Sequence, residues 1–156
     1  MLYSVIGHYS LILGLCFGLL LVYFSIINFR NYNVLNTKIL SFSFLQFFLV
    51  VISFSCLILS FVFSDFSNET VFNNSHTTKP LFYKIAGTWG NHEGSLLLWL
   101  LVLTLFIFIF LIKTKNQPLK YKLLTLVFQQ IIIIGFFVFL IQTSNPFNYL
   151  YPSPEE

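Results

Sequence analysis

A chain of 156 residues that is 57% hydrophobic and 8% charged has too few polar side chains for a soluble domain, where about a quarter of residues are charged. Its mean hydropathy of +0.85 marks a membrane protein, with room for several spans of about 20 apolar residues and none for a large soluble domain beside them. The formal charge of +3 is dispersed and forms no basic cluster able to follow a phosphate backbone, so nucleic acid is excluded as a partner.

Four apolar runs, at about 9–29, 39–64, 95–112 and 123–143, carry no Asp, Glu, Lys or Arg in their interiors. They predict an all-α membrane protein with about four transmembrane helices, because backbone amides in hydrocarbon must be satisfied within the segment and no alternating barrel pattern is present. The first run lacks a basic leader and an Ala-x-Ala cleavage site, so it reads as a retained span. Within it Ser10, Gly14 and Gly18 recur every four residues, a helix-packing face of small residues. Cys16 and Cys56 lie inside apolar runs without a Cys-x-x-Cys-His motif and read as small core-packing residues. The serines of the second run, Ser53, Ser55 and Ser60, are expected to bond back to their own helix.

Between the second and third runs lies a polar loop, 65–94, whose first half is expected to be mobile. It carries His76 and two glycosylation sequons, at Asn68-Glu69-Thr70 and Asn73-Asn74-Ser75. Pro80 then opens an amphipathic stretch, Leu81-Phe82-Tyr83-Lys84-Ile85, suited to the membrane surface. In the fourth run Gln129 and Gln130 place amides in hydrocarbon and are expected to bond across to another helix. The tail 144–156 is Pro-punctuated and is expected to be extended, with aromatic anchors at the interface. Basic residues crowd the first and third connections, with Arg30 and Lys38 in one and Lys113, Lys115, Lys120 and Lys122 in the other. Both termini and the 65–94 loop are therefore expected on the opposite side of the membrane.

The run from Gly87 to Trp99 concentrates chemistry that the rest of the chain lacks. In Trp89-Gly90-Asn91-His92-Glu93-Gly94-Ser95, a neutral His92 offers a ring nitrogen to haem iron or to a hydrogen bond. Trp89 and Trp99 would make an aromatic wall, and Gly90 and Gly94 would allow close backbone approach, an arrangement suited to a flat amphipathic macrocycle. The same residues also read structurally, with Asn91 capping the third helix, Glu93 complementing its dipole and the tryptophans anchoring the interface. His8 and His76 read as interfacial or solvated residues. The spans hold no ionisable relay, and no catalytic constellation, metal-ligand spacing or phosphate loop is present, so the chain is not a self-sufficient enzyme.

His8-Tyr9-Ser10-Leu11-Ile12-Leu13-Gly14-Leu15, then Trp89-Gly90-Asn91-His92-Glu93-Gly94-Ser95-Leu96-Leu97-Leu98-Trp99, then Asn145-Pro146-Phe147 with Pro152 and Pro154, resemble in this order the CcmF family, the haem lyase subunits of cytochrome c maturation. The resemblance covers nearly the whole chain and about the first quarter of a family member. It implies an N-terminal fragment of a larger polytopic helix bundle, as in the split subunits of some mitochondria. It further implies a part in attaching haem to apocytochrome c by cytochrome c biogenesis system I, with haem b as cargo of the assembled complex. The implied partners are the remaining CcmF-type fragments, a CcmH-type thiol subunit, a haem chaperone and apocytochrome c, within membrane lipid.

The haem-ligating histidines and tryptophan-rich domain of the family lie in later parts of the subunit. Trp89, Gly90, Asn91, His92, Glu93, Gly94, Ser95 and Trp99 are therefore expected to border the haem or apocytochrome site without ligating iron. Ser10, Gly14, Gly18, Gln129 and Gln130 are expected to pack helices. Ala86 is the single alanine of a Phe-, Ile- and Asn-rich chain. That bias fits an AT-rich organellar coding sequence and hence a multi-pass protein of the mitochondrial inner membrane, with termini and the 65–94 loop in the intermembrane space. The alternative is a non-catalytic small membrane subunit of a respiratory-chain complex, which has no need to gather the Trp-Gly-Asn-His-Glu-Gly run at one interface. A small transporter half would want broken helices or a polar midplane site, toward which only Gln129 and Gln130 point.

Overall fold

The computed structural model describes residues 2–30, 36–152 and 154. Four long helices, α1 (Leu2–Arg30), α2 (Asn36–Val62), α5 (His92–Lys113) and α6 (Leu119–Gln142), are each long and apolar enough to cross a membrane. Two short helices, α3 (Glu69–Asn74) and α4 (Leu81–Gly87), lie in the connection between α2 and α5. The described chain is a multi-pass helical membrane protein. Of the orienting basic residues, the Arg30 side chain lies outside the described residues, while Lys38, Lys113, Lys115 and Lys120 are exposed. Lys122 is buried, and its Nζ donates to the Lys115 carbonyl at 3.4 Å.

Around the bundle the helices run α1, α2, α5, α6, so that α1 and α5 each pack against both α2 and α6. Small side chains let α1 come close. At Gly14 a Cβ would lie 2.9 Å from the Phe137 ring of α6, and at Gly18 it would lie 2.7 Å from the Gln46 amide of α2. The Ser10–Gly14–Gly18 face is thus used inside the chain, and Ser10 too is buried. Helix α1 starts at Leu2, well before the apolar run, because Ser4 and Gly7 continue the same buried face. The apolar core draws Leu11 and Leu21 from α1, Val50, Leu57 and Phe61 from α2, Leu97 and Leu100 from α5, and Phe137 and Leu140 from α6.

Polar groups inside the bundle are mostly paired. Gln46 and Gln130 exchange both hydrogen bonds, at 2.8 and 3.2 Å, joining α2 to α6 beside Gly18. A buried amide pair of this kind satisfies donor and acceptor on each side, which an isolated glutamine in hydrocarbon does not. Gln129 differs from its neighbour, for its Oε1 is shielded from solvent and accepts no hydrogen bond among the described residues. Ser60 bonds back to the Cys56 carbonyl at 3.0 Å, whereas Ser53, expected to do the same, leaves its hydroxyl without a partner. Cys56 is a core residue, but Cys16, expected to be one, faces outward because the small residues beside it already occupy the packed face of α1.

The first half of the 65–94 loop has fixed partners where mobility is expected from its polarity. Asn68 is fully buried, and its Oδ1 accepts from the Thr70 and Val71 amides at 2.9 and 3.2 Å, capping α3. Its Nδ2 donates to Ser4 Oγ at 3.1 Å and to the Pro146 carbonyl at 3.0 Å. Those four bonds exhaust what one amide can make. The tail crosses over this hub. Leu150 N donates to Ser67 O, Glu69 N donates to Asn148 O, both at 3.0 Å, and an antiparallel bridge pairs Asn68 with Tyr149. The Phe147 ring fills the space over Gly7, where a Cβ would sit 2.3 Å from it. Of the tail, Ser153, Glu155 and Glu156 lie outside the described residues.

Candidate functional site

The site is built on the turn from α4 into α5. Pro80 opens α4, whose Leu81, Phe82 and Tyr83 are exposed, and Lys84 reaches back to Ser64 Oγ at 2.6 Å to hold this short helix against the end of α2. The helix winds down through Trp89 N and Gly90 N donating to the Ala86 carbonyl at 3.3 and 3.1 Å. Asn91 then turns extended and caps α5, its Oδ1 accepting from Gly94 N at 2.7 Å. The other end of the same amide donates to the carbonyls of Gly87, at 2.8 Å, and Thr88, at 3.3 Å, so one side chain ties both helices.

Gly94 is required by that turn. A Cβ there would fall 1.6 Å from the Thr88 carbonyl oxygen, a distance no side chain tolerates. Gly90 is less constrained, its Cβ position lying 3.3 Å from the Ala86 carbonyl. Ser95 Oγ donates to the His92 carbonyl at 2.9 Å, closing the first turn, and Glu93 sits there with its charge at the positive end of the helix dipole. Asn91, Gly94 and Ser95 therefore hold the turn together. Trp89, His92 and Trp99 point away from it and are exposed, Trp99 by 60%. His92 and Trp99 stand seven residues apart, two turns along one outward strip of α5. The turn and the first two turns of α5 thus carry two indoles and an imidazole on their outer surface.

The three histidines stay separate in their bonding. His8 Nδ1 lies 3.3 Å from Asn145 Nδ2, and Asn145 Oδ1 accepts from Phe147 N at 3.0 Å, which leaves His8 Nδ1 as the acceptor in this pair. His76 and His92 are exposed. Among the described residues no group of three or more His, Cys, Asp or Glu side chains is arranged to hold a metal ion. Two features escape sequence reasoning. One is the Gln46 partner of Gln130, which a lone glutamine among serines and phenylalanines does not advertise. The other is a groove of about 590 Å³ between the α2–α3 connection and the tail, lined by Asp65, Ser67, Tyr149, Tyr151 and Pro154 among others. It exists only because the tail folds back. Partial burial and then the nearby Asp65 carboxylate and Tyr9 push the Tyr149 hydroxyl up.

No protein-family model matches the chain. Among curated proteins it is 40% identical over 152 residues to the cytochrome c-type biogenesis protein CycK of Rhizobium meliloti, covering 97% of this chain and 22% of that protein. It is 38% identical to the biogenesis protein ccl1 of Rhodobacter capsulatus, over 95% of this chain and 23% of that one. This chain is homologous to the N-terminal part of CcmF-type cytochrome c biogenesis proteins. It spans little more than a fifth of the length of these relatives. CcmF of Haemophilus influenzae matches in the same way, 34% identical over 94% of this chain and 23% of its own length. A solved structure of the cytochrome c heme lyase CcmF superimposes with a TM-score of 0.87 at 24% identity, over 96% of this chain and 25% of that one. The four-span arrangement is therefore a CcmF-type fold.

Proposed function

We propose that this chain forms part of a CcmF-type membrane haem lyase assembly that attaches haem covalently to apocytochrome c. In this reading it packs against the remaining parts of the subunit, and the α4–α5 corner borders the haem or apocytochrome site. The observation that carries the reading is the 40% identity to a cytochrome c-type biogenesis protein across 97% of the chain. Trp89, His92 and Trp99 supply the outward aromatic and imidazole surface, with Glu93 beside them, while Gly90, Asn91, Gly94 and Ser95 keep that surface in place. Haem b is the cargo, and its iron ligands come from elsewhere in the assembly. The partners are the remaining CcmF-type parts, a CcmH-type thiol subunit, a haem chaperone and apocytochrome c. The single alanine and organellar composition support the mitochondrial inner membrane, with the 65–94 loop and the termini in the intermembrane space.

The test is to purify the tagged chain from its native membrane in mild detergent and identify co-purifying proteins by mass spectrometry. Cytochrome c maturation factors are expected; recovery of respiratory-complex subunits alone overturns the assignment. A His92→Ala variant that accumulates normally is expected to slow holocytochrome formation. Maturation at the wild-type rate would remove the corner from the site and leave the assembly role standing.

A further inference from the structure

In and at the heads of the spanning helices, glycine marks places where something presses on the backbone. A Cβ would meet an atom at 2.3 Å at Gly7, 2.9 Å at Gly14, 2.7 Å at Gly18 and 1.6 Å at Gly94. Gly135, in the interior of α6, breaks the pattern, for it is exposed and nothing lies within 4 Å of its Cβ position. A glycine in a helix interior loses more chain entropy than alanine and adds no packing of its own, so within this chain it brings no return. It floors an apolar groove of about 370 Å³ between α5 and α6, walled by Leu96, Ile132, Phe136 and Phe139.

We propose that the α5–α6 groove over Gly135 seats a further transmembrane helix from the remaining parts of the CcmF-type assembly. The groove lies within the membrane-spanning part, where an occupying polypeptide satisfies its own backbone only as a helix. Close approach of backbones over a small residue is how helices associate in lipid, while a fluid acyl chain gains nothing from a missing Cβ. The material for such a helix is at hand in the relatives, since the aligned part is a quarter of the solved CcmF chain. This inference rests on the assembly reading above.

The experiment places a photoreactive cross-linking residue at Ile132 in the groove, or at Leu19 on the outer face of α1, in the tagged chain in its native membrane. From Ile132 a discrete adduct to a membrane segment homologous to a later part of CcmF is expected, and from Leu19 lipid adducts alone. In parallel, Gly135→Leu is expected to lower recovery of that partner roughly tenfold by overpacking the groove while leaving accumulation of this chain unchanged, since the new side chain meets nothing of its own. Adducts from Ile132 to lipid alone or to a second copy of this chain overturn the inference, as does Gly135→Leu with wild-type recovery. In those cases the maturation factors still co-purify with the wild-type chain and the assembly reading survives. Their absence from the wild-type purification overturns both.

Discussion

Asn91 is the residue on which the α4–α5 corner depends, because its one amide caps a helix and holds the preceding carbonyls together. Asn91→Ala is expected to cost about 1–2 kcal/mol, the upper range for a lost N-cap, read as a lowered midpoint of thermal unfolding in detergent. Gly94→Ala is expected to be more damaging, since its methyl collides with the Thr88 carbonyl; poor accumulation in the membrane is the readout. His92→Ala is exposed and should leave stability within about 0.5 kcal/mol, so it separates function from folding at the same turn. The cap was legible in the sequence, because an asparagine before a long apolar run with a glutamate two residues later is a helix start. The role of Gly94 was not. Sequence shows that a glycine permits close approach, but the approaching group is the Thr88 carbonyl, fixed by a turn that only the folded chain displays.

At the level of elements, the four long helices follow from apolar runs, but what joins them does not. Gln46 and Gln130 are 84 residues apart, and each gains its partner only after α2 and α6 meet. Gln130→Leu is expected to destabilise the chain by orphaning Gln46 beside Gly18, and Gln46→Leu with Gln130→Leu together should recover part of the loss. A double-mutant cycle in detergent should give a coupling of about 0.6 kcal/mol or somewhat more, typical of interhelical hydrogen bonds in membranes. Helix α3 is six residues long and has no means of standing alone, so its polar sequence reads as loop until Asn68, Ser4 and the tail are brought together. Removing the Phe147 ring takes away the apolar contact that fastens the tail. Phe147→Ala is expected to cost about 3–5 kcal/mol locally, seen as faster amide exchange at Glu69 and Leu150, whose backbone bonds join the tail to the α2–α3 connection.

For the molecule as a whole, the helices are apolar nearly all round, so their order about the bundle was hidden from periodicity arguments; the small residues of α1 and the glutamines decide it. The membrane orientation makes its own prediction. In a variant lacking Cys16 and Cys56, single cysteines in place of His76 and of Lys115, both exposed, are expected to be labelled by impermeant thiol reagents from opposite faces of the membrane. Labelling of both from one face would refute the four-span topology. The strap over the 65–94 connection bears on the order of events during synthesis. His8 meets Asn145 across 137 residues, so synthesis must have passed Asn145 before this end of the bundle shuts. The three pieces of that roof are made in chain order, the head of α1 first, Asn68 next and the 145–150 segment after both. Until the last arrives, Gly7 has no ring above it and Asn68 has one donor hydrogen too many. A released chain truncated just short of Asn145 should therefore hold four inserted spans under an unsealed lid, with the aromatic corner already made and the roof beside it still open.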